Sequence, residues 1–285
     1  MNNSNKHKRY QYLAELSCLS PVIKLYKIRF NPLSQPREHI MTHPSLFAGL
    51  IFMASAALPI TASASQLFEQ SGAVPQLIEL YTSEGCSSCP PADRNLNTLL
   101  NDPELWSKRL PVAFHVDYWD YIGWKDTYAQ PLFTERQYRL KKSGAINSIY
   151  TPGWVVDGKE WRGFFLGQKL PDTPTRKGGH LTVNVDDNQQ VSINYQGDQS
   201  APTDLTAHLV LMTFDQRSNV TSGENKGKNM LHNFVAVQKE HVQLPAQNVD
   251  IPLSKLDTSQ RQALVVWLTS ADNSQPLQAT GGWLK

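Results

Sequence analysis

Residues 170–179, Leu-Pro-Asp-Thr-Pro-Thr-Arg-Lys-Gly-Gly, divide the sequence into two stretches with different hydrophobic periods. That break constrains the fold more than any other feature. Proline and glycine at this density mark a linker. Before it, strand and helix patterns alternate. Residues 74–82 predict a strand that stops at Ser83-Glu84-Gly85. Residues 92–100 predict a helix led by Pro90 and Pro91, because proline is accepted in the first helical turn, where backbone N–H groups lack partners. Residues 111–119 predict a strand with Val112, Phe114 and Val116 on one face and Ala113, His115 and Asp117 on the other. Residues 131–142 predict a helix with Pro131 early, Lys141 and Lys142 in its last turn, and Gly144 just beyond. Segments 154–156 and 160–164 flank Asp157-Gly158, a two-residue hairpin signal.

After the break the pattern is strands only. Leu181, Val183 and Val185 alternate, as do Val191, Ile193 and Tyr195, and segments 205–214, 231–237, 249–253, 263–269 and 277–283 follow. Short strands at even spacing without helical periods predict an antiparallel sandwich. The expectation is an α/β domain over 65–169, the linker 170–179, and an all-β sandwich-like domain over 180–285.

The first 64 residues read as a leader. Residues 46–60 form an uncharged apolar run closed by Ala62-Ser63-Ala64, which suits signal peptidase. The run is shorter than the roughly 20 residues that span a bilayer. Cleavage after Ala64 is expected, with an uncleaved anchor as the alternative and Met41 as a second candidate start. Of the 285 residues, 221 would remain, and no stable membrane span with them. Residues 1–64 hold 7 of the 27 Lys and Arg and 2 of the 25 Asp and Glu, so the remainder is mildly acidic at −3. A body without a basic stripe argues against nucleic acid as a partner.

Cys18 would leave with the leader, and the exported chain would keep only Cys86 and Cys89. Export to the periplasm or beyond places that pair where disulfides persist. A Cys-x-x-Cys between a strand and a helix has a specific use. The helix N-terminus stabilises a thiolate, and the second cysteine, one turn on, resolves a mixed disulfide. Cys86, nearer the loop, is the expected attacking thiol and the more exposed one; Cys89 is the expected resolving thiol. A permanent structural disulfide and a copper- or zinc-handling site remain open as alternatives. Two thiolates alone do not complete a zinc site, so no metal or other cofactor is expected.

Glu79 lies in the strand that leads to the cysteines. Desolvated there, it would have a raised pKa and serve proton transfer with Cys89, the alternative being a pairing with Lys or Arg. Glu84 reads as solvated. Thr151-Pro152 precedes a hairpin strand, and a cis bond there would offer a backbone edge to an extended substrate. Residues 115–126 crowd His115, Asp117, Trp119, Asp120, Trp124 and Asp126 at a strand end, where sites of open α/β sheets lie. Residues 222–228, Ser-Gly-Glu-Asn-Lys-Gly-Lys, lack phosphate-loop spacing and read as a turn-rich loop without a nucleotide role.

The strand, Cys-x-x-Cys, helix, Thr-Pro and hairpin together resemble the thioredoxin fold. More closely, Glu79-Leu-Tyr-Thr-Ser-Glu-Gly-Cys-Ser-Ser-Cys-Pro-Pro-Ala-Asp93, residues 115–126 and Tyr150-Thr-Pro-Gly-Trp-Val-Val-Asp-Gly158 resemble an uncharacterised family of exported bacterial proteins. Residues 223–227 and 232–235 fit the same family, a domain of unknown function with a thioredoxin-like N-terminal half. The resemblance implies an α/β thioredoxin-like domain before the sandwich, and export; it supplies no substrate. Gly85 stands where thioredoxins carry tryptophan, and Glu79 is one residue farther from the first cysteine than their buried acid. The expected activity is thiol–disulfide exchange with a thiol- or disulfide-bearing protein or a small thiol. The alternative is a binding protein with a structural disulfide.

Overall fold

The computed structural model describes residues 65–173, 175–197, 202–244, 249–271 and 273–285. The expected leader and its cleavage site lie outside the described residues. In chain order the elements are β1 (Gln66–Ala73), β2 (Gln76–Thr82), α1 (Pro90–Asn97), β3 (Arg109–His115), α2 (Pro131–Lys142), β4 (Gly153–Val156) and β5 (Lys159–Glu160). Then come β6 (Lys177–Val185), β7 (Gln190–Gln196), β8 (Leu205–Thr213), β9 (Gln216–Asn219), β10 (Asn229–His232), β11 (Val235–Leu244), β12 (Val249–Pro252), β13 (Gln262–Ser270) and β14 (Gln278–Trp283).

Local chemistry accounts for several elements directly. Helix α2 starts on Pro131, ends with Arg139, Lys141 and Lys142 in its last turn, and is followed by Gly144 at φ +76°. The β4–β5 hairpin turns through Asp157 and Gly158, both at positive φ, which suits the twist of paired strands. Strand β2 is buried along its whole length, as a strand covered on both faces must be.

The expected pairing of an α/β thioredoxin-like domain with a separate all-β domain does not hold. One mixed sheet of eight strands, in the order β14-β13-β8-β11-β3-β2-β4-β5, runs through both halves. The join is parallel pairing of β11 with β3, where Ala113 N–H donates to the Phe234 carbonyl at 2.8 Å. The segment 170–179 is not a free linker, since Lys177, Gly178 and Gly179 open β6. Strand β1, from the N-terminal half, pairs with β6 in a second sheet ordered β1-β6-β7-β12.

The cores explain why the two halves are inseparable. Strands β8 and β13 are buried on both faces, so alternate residues feed different cores. Leu205, Ala207, Leu209, Leu264, Val266 and Leu268 pack against Leu181, Val183, Val191 and Ile193 of the second sheet, a β-sandwich arrangement. Val210, Met212, Val265 and Trp267 instead join the core that contains β2, β3 and both helices. The 231–237 strand is also divided: β10 ends at His232, Phe234 sits at φ +59°, and β11 begins at Val235. Among the described residues no helix is long and apolar enough to cross a membrane.

Candidate functional site

The chain leaves β2 through a tight turn in which Gly85 N–H donates to Ser83 Oγ at 3.1 Å and Cys86 N–H to the Ser83 carbonyl at 3.2 Å. A Cβ on Gly85 would stand 3.0 Å from Cβ of Trp119, so only glycine lets Trp119 approach this closely. Cys86 and Cys89 are at disulfide distance, with Cα atoms 5.4 Å apart. Cys89 precedes α1, and its carbonyl accepts from Ala92 and Asp93 N–H at 2.8 and 3.1 Å.

Cys86 is not the exposed member of the pair. It is 1% exposed and Cys89 is 0% exposed, while Ser87 and Ser88 face solvent. The 220–228 segment between β9 and β10 is bonded to the cysteine turn. Buried Asn225 donates from Nδ2 to the carbonyls of Glu84 at 2.7 Å and Cys86 at 2.9 Å. Ser87 N–H reaches Glu224 Oε2 at 3.3 Å, and Lys228 Nζ holds Asn225 Oδ1 at 2.7 Å. The polar turn-rich loop of the sequence is thus a clasp over the cysteine turn.

Alternation along β2 and β3 decides which side chains join the cysteines. Leu80, Thr82, Ala113 and His115 face α1, while Glu79, Tyr81 and Phe114 face α2. On the α1 side lies a buried acid–base array. His115 Nδ1 pairs with Asp126 Oδ2 at 2.7 Å, and His232 Nε2 lies 3.2 Å from Glu84 Oε1. The two imidazoles meet edge to face at 5.0 Å. Trp124 Nε1 donates to Glu84 Oε2 at 2.7 Å, and Glu84 N–H donates to Asp126 Oδ2 at 2.9 Å. Glu84 is therefore fully buried rather than solvated. Asp93, in the first turn of α1, completes the array. A small cavity lies among Asp93, Asn97, Ala113, His115 and His232. Among the described residues His115 Nε2 and His232 Nδ1 are buried without hydrogen-bond partners.

Burial raises the pKa of Asp93, a shift that the nearby His232 and His115 only partly offset. Burial also pushes Asp126 up, but His115 and the Glu84 and Tyr128 N–H groups outweigh it and hold that carboxyl low. His115 in turn is raised, because Asp126 overcomes the opposing effect of burial. Glu84 is lowered, since contacts with His232, Ser218 and Trp124 prevail over desolvation. Two carboxyls stay ionised beside two imidazoles while a third keeps its proton longer. Such divergence of neighbouring groups is a mark of acid–base sites. Among the described residues no three of these side chains converge on a metal position.

Glu79 belongs elsewhere. It forms a two-point ion pair with Arg136 of α2, Nε at 2.6 Å and Nη2 at 2.8 Å, and accepts from the Tyr81 hydroxyl at 3.0 Å. The sheet stands between it and α1, so it does not reach Cys89. Thr151-Pro152 is cis, and Thr151 Oγ1 accepts from Trp119 Nε1 at 2.7 Å, tying that turn to the residue packed on Gly85. Asp117 accepts from Thr134 Oγ1 at 2.6 Å, and Asp120 Oδ1 accepts from Asp126 N–H at 3.1 Å. Both are supports for the loop. Burial raises Asp120. Sequence reasoning missed Asp93, Asn225 and His232. Asp93 carries a local signal, standing next to Ala92 and three residues before Leu96 on the buried stripe of α1. Beside α1 and β10, Pro90, Asp93, Arg94, Met230, Leu231 and His232 line a groove of about 690 Å³.

No curated protein matches the chain. Among solved structures, protein AGR_C_4864 from Agrobacterium tumefaciens is similar, with 22% identity, a TM-score of 0.51, and coverage of 74% of this chain and 94% of that one. HBP35 of Porphyromonas gingivalis aligns at 12% identity and a TM-score of 0.49, over 75% of this chain and 76% of that one. The first likeness bears on fold alone. Residues 77–269 match the family described as protein of unknown function (DUF1223), a span that holds the cysteine turn, the clasp and the acid–base array. The chain belongs to the DUF1223 family.

Proposed function

We propose that Cys86 and Cys89 form a redox-active pair that exchanges disulfides with a partner dithiol, in an oxidising compartment reached by export. The observation that carries this reading is the placement of a disulfide-distance pair at the start of α1, between Glu84 and Asp93 of the acid–base array, with Asp93 N–H donating to the Cys89 carbonyl at 3.1 Å. A permanent staple needs no such array, and burying it is costly. In the exchange, a partner thiolate attacks Sγ of Cys86 and the Cys86–Cys89 bond breaks. Cys89 leaves as a thiolate, favoured by the helix N-terminus, and takes a proton from the buried array, in which Asp93 sits in the same helical turn. A second partner thiolate then displaces Cys86. The partner is oxidised by two electrons and the pair is reduced to two thiols; the reverse sequence reduces a partner disulfide.

Because Cys86 is buried, attack requires an opening; release of the 220–228 clasp from the Glu84 and Cys86 carbonyls is the opening proposed, with the groove beside α1 as the path for an extended partner. The leader-like residues 46–64 support export. The burial of both sulfurs favours a second reading, a structural disulfide in a binding protein. Trapping separates them. Cys89→Ser should accumulate mixed disulfides on Cys86 in the exported protein, and Cys86→Ser should not. Absence of trapped partners from both variants supports the structural reading.

A further inference from the structure

On the far side of the eight-stranded sheet from α1, a cavity of about 650 Å³ opens between α2 and strands β8, β11 and β13. Arg136, Arg139 and Lys142 recur at three-residue spacing on one face of α2 and line its wall. The sheet contributes Thr206, His208, Lys239, His241 and Thr269. Among the described residues no carboxylate lines it. Glu79 is engaged by Arg136 and Tyr81 behind the wall, and Glu240, next along β11, is exposed.

Lys239 is the decisive residue. It is 3% exposed and lines the cavity, yet among the described residues its ammonium has no hydrogen bond or ion pair, although its backbone is paired with Val210. Its environment is cationic, and strand pairing sets His241 of the same face directly opposite His208. An unpaired ammonium is not buried among arginines without a counter-charge. Burial, followed by the fields of Arg136 and Arg139, accordingly pushes Lys239 down to about 7. His208 and His241 are lowered too, by burial first and by these cations next. With Arg136 neutralised by Glu79 and the Thr269 hydroxyl engaged by His208 Nε2 at 3.0 Å, the positions that remain for a ligand are Arg139, Lys142 and Lys239.

We infer that this cavity is a binding site for a small multivalent anion of the phosphate class. Arginine and lysine match phosphate oxygens. The volume exceeds one phosphate group, and Leu140 and Ala271 in the wall offer an apolar surface to an organic body. Inorganic phosphate and a phosphomonoester share the recognised group and differ in that body. The site stands apart from the cysteine pair, so it does not depend on exchange activity.

Calorimetric titration of the full chain with inorganic phosphate, pyrophosphate, glycerol 3-phosphate and glycerol tests this inference. The phosphates should bind and glycerol should not, with the phosphomonoester tighter than inorganic phosphate if the apolar wall is used. Binding at pH 8 should take up a proton as Lys239 is recharged, read from buffers of different ionisation enthalpy. Arg139→Gln and Lys239→Met should each weaken binding at least tenfold, while Arg94→Gln on α1 leaves it unchanged. Lack of binding at millimolar phosphate, or equal weakening by Arg94→Gln, overturns the inference. Binding that survives both cavity variants does so as well.

Discussion

The side-chain amide of Asn225 lies 2.9 Å from the carbonyl oxygen of Cys86, across 139 residues of sequence. With its second bond to Glu84, it locks the clasp to the cysteine turn from inside. Hydrogen bonds lost at buried carbonyls cost about 1–3 kcal/mol. Asn225→Ala should therefore shift the clasp toward open forms and speed reduction of Cys86–Cys89 by dithiothreitol about tenfold or more. A stopped-flow measurement at fixed pH checks this; an unchanged rate means the clasp does not gate access.

Asp93 should leave its mark on pH dependence. Its folded-state pKa is raised by burial, so the native state holds this proton more tightly than the unfolded chain. The stabilisation is complete below the unfolded value near 4 and is lost as pH rises through the folded value. Asp93→Asn should raise the melting temperature at pH 7 and flatten that acid limb. The exchange rate should lose its acid-side inflection in the same variant.

The Glu79–Arg136 pair has a different signature. Removing one partner of a buried pair leaves a stranded charge, costing about 3–5 kcal/mol. Glu79→Gln should lower stability on that scale in urea unfolding. Its exchange rate in the remaining folded protein should match the parent, because the sheet separates Glu79 from α1.

Lys239 carries the opposite sign. Its value of about 7 in the fold lies below the ordinary 10.5, so the unfolded chain binds this proton more tightly. Stability should rise with pH between about 7 and 10 on its account. Lys239→Met should stabilise the phosphate-free protein at pH 7 by about 2–4 kcal/mol. The gain should fade as pH approaches 10.5.

Much of the local structure is legible in sequence because local chemistry decides it. Helix α2 lies where Pro131, the terminal lysines and Gly144 place it, and the Asp157-Gly158 turn forms its hairpin. The cysteine turn falls between strand and helix as its neighbours require. What is not legible depends on long-range pairing. Nothing in the pattern of 235–244 tells that β11 will lie beside β3 and fuse two expected domains into one sheet. Strand β1 buries only Phe68 strongly, so its alternation is too weak to announce a strand. Glu84 looks solvated among Ser83 and Gly85; His232 and Trp124, distant in sequence, are what bury it. Asn225 has no local signature at all, since its partners are the carbonyls of a turn more than a hundred residues away.

The reduction potential of Cys86–Cys89 separates an exchanging pair from a permanent staple. Equilibration of the processed protein with glutathione and dithiothreitol couples, read by thiol alkylation, gives the value. A redox-active pair should show a potential of about −270 to −120 mV, the span of exchange proteins, with reversible cycling. A value below about −300 mV, where structural disulfides lie, would contradict it.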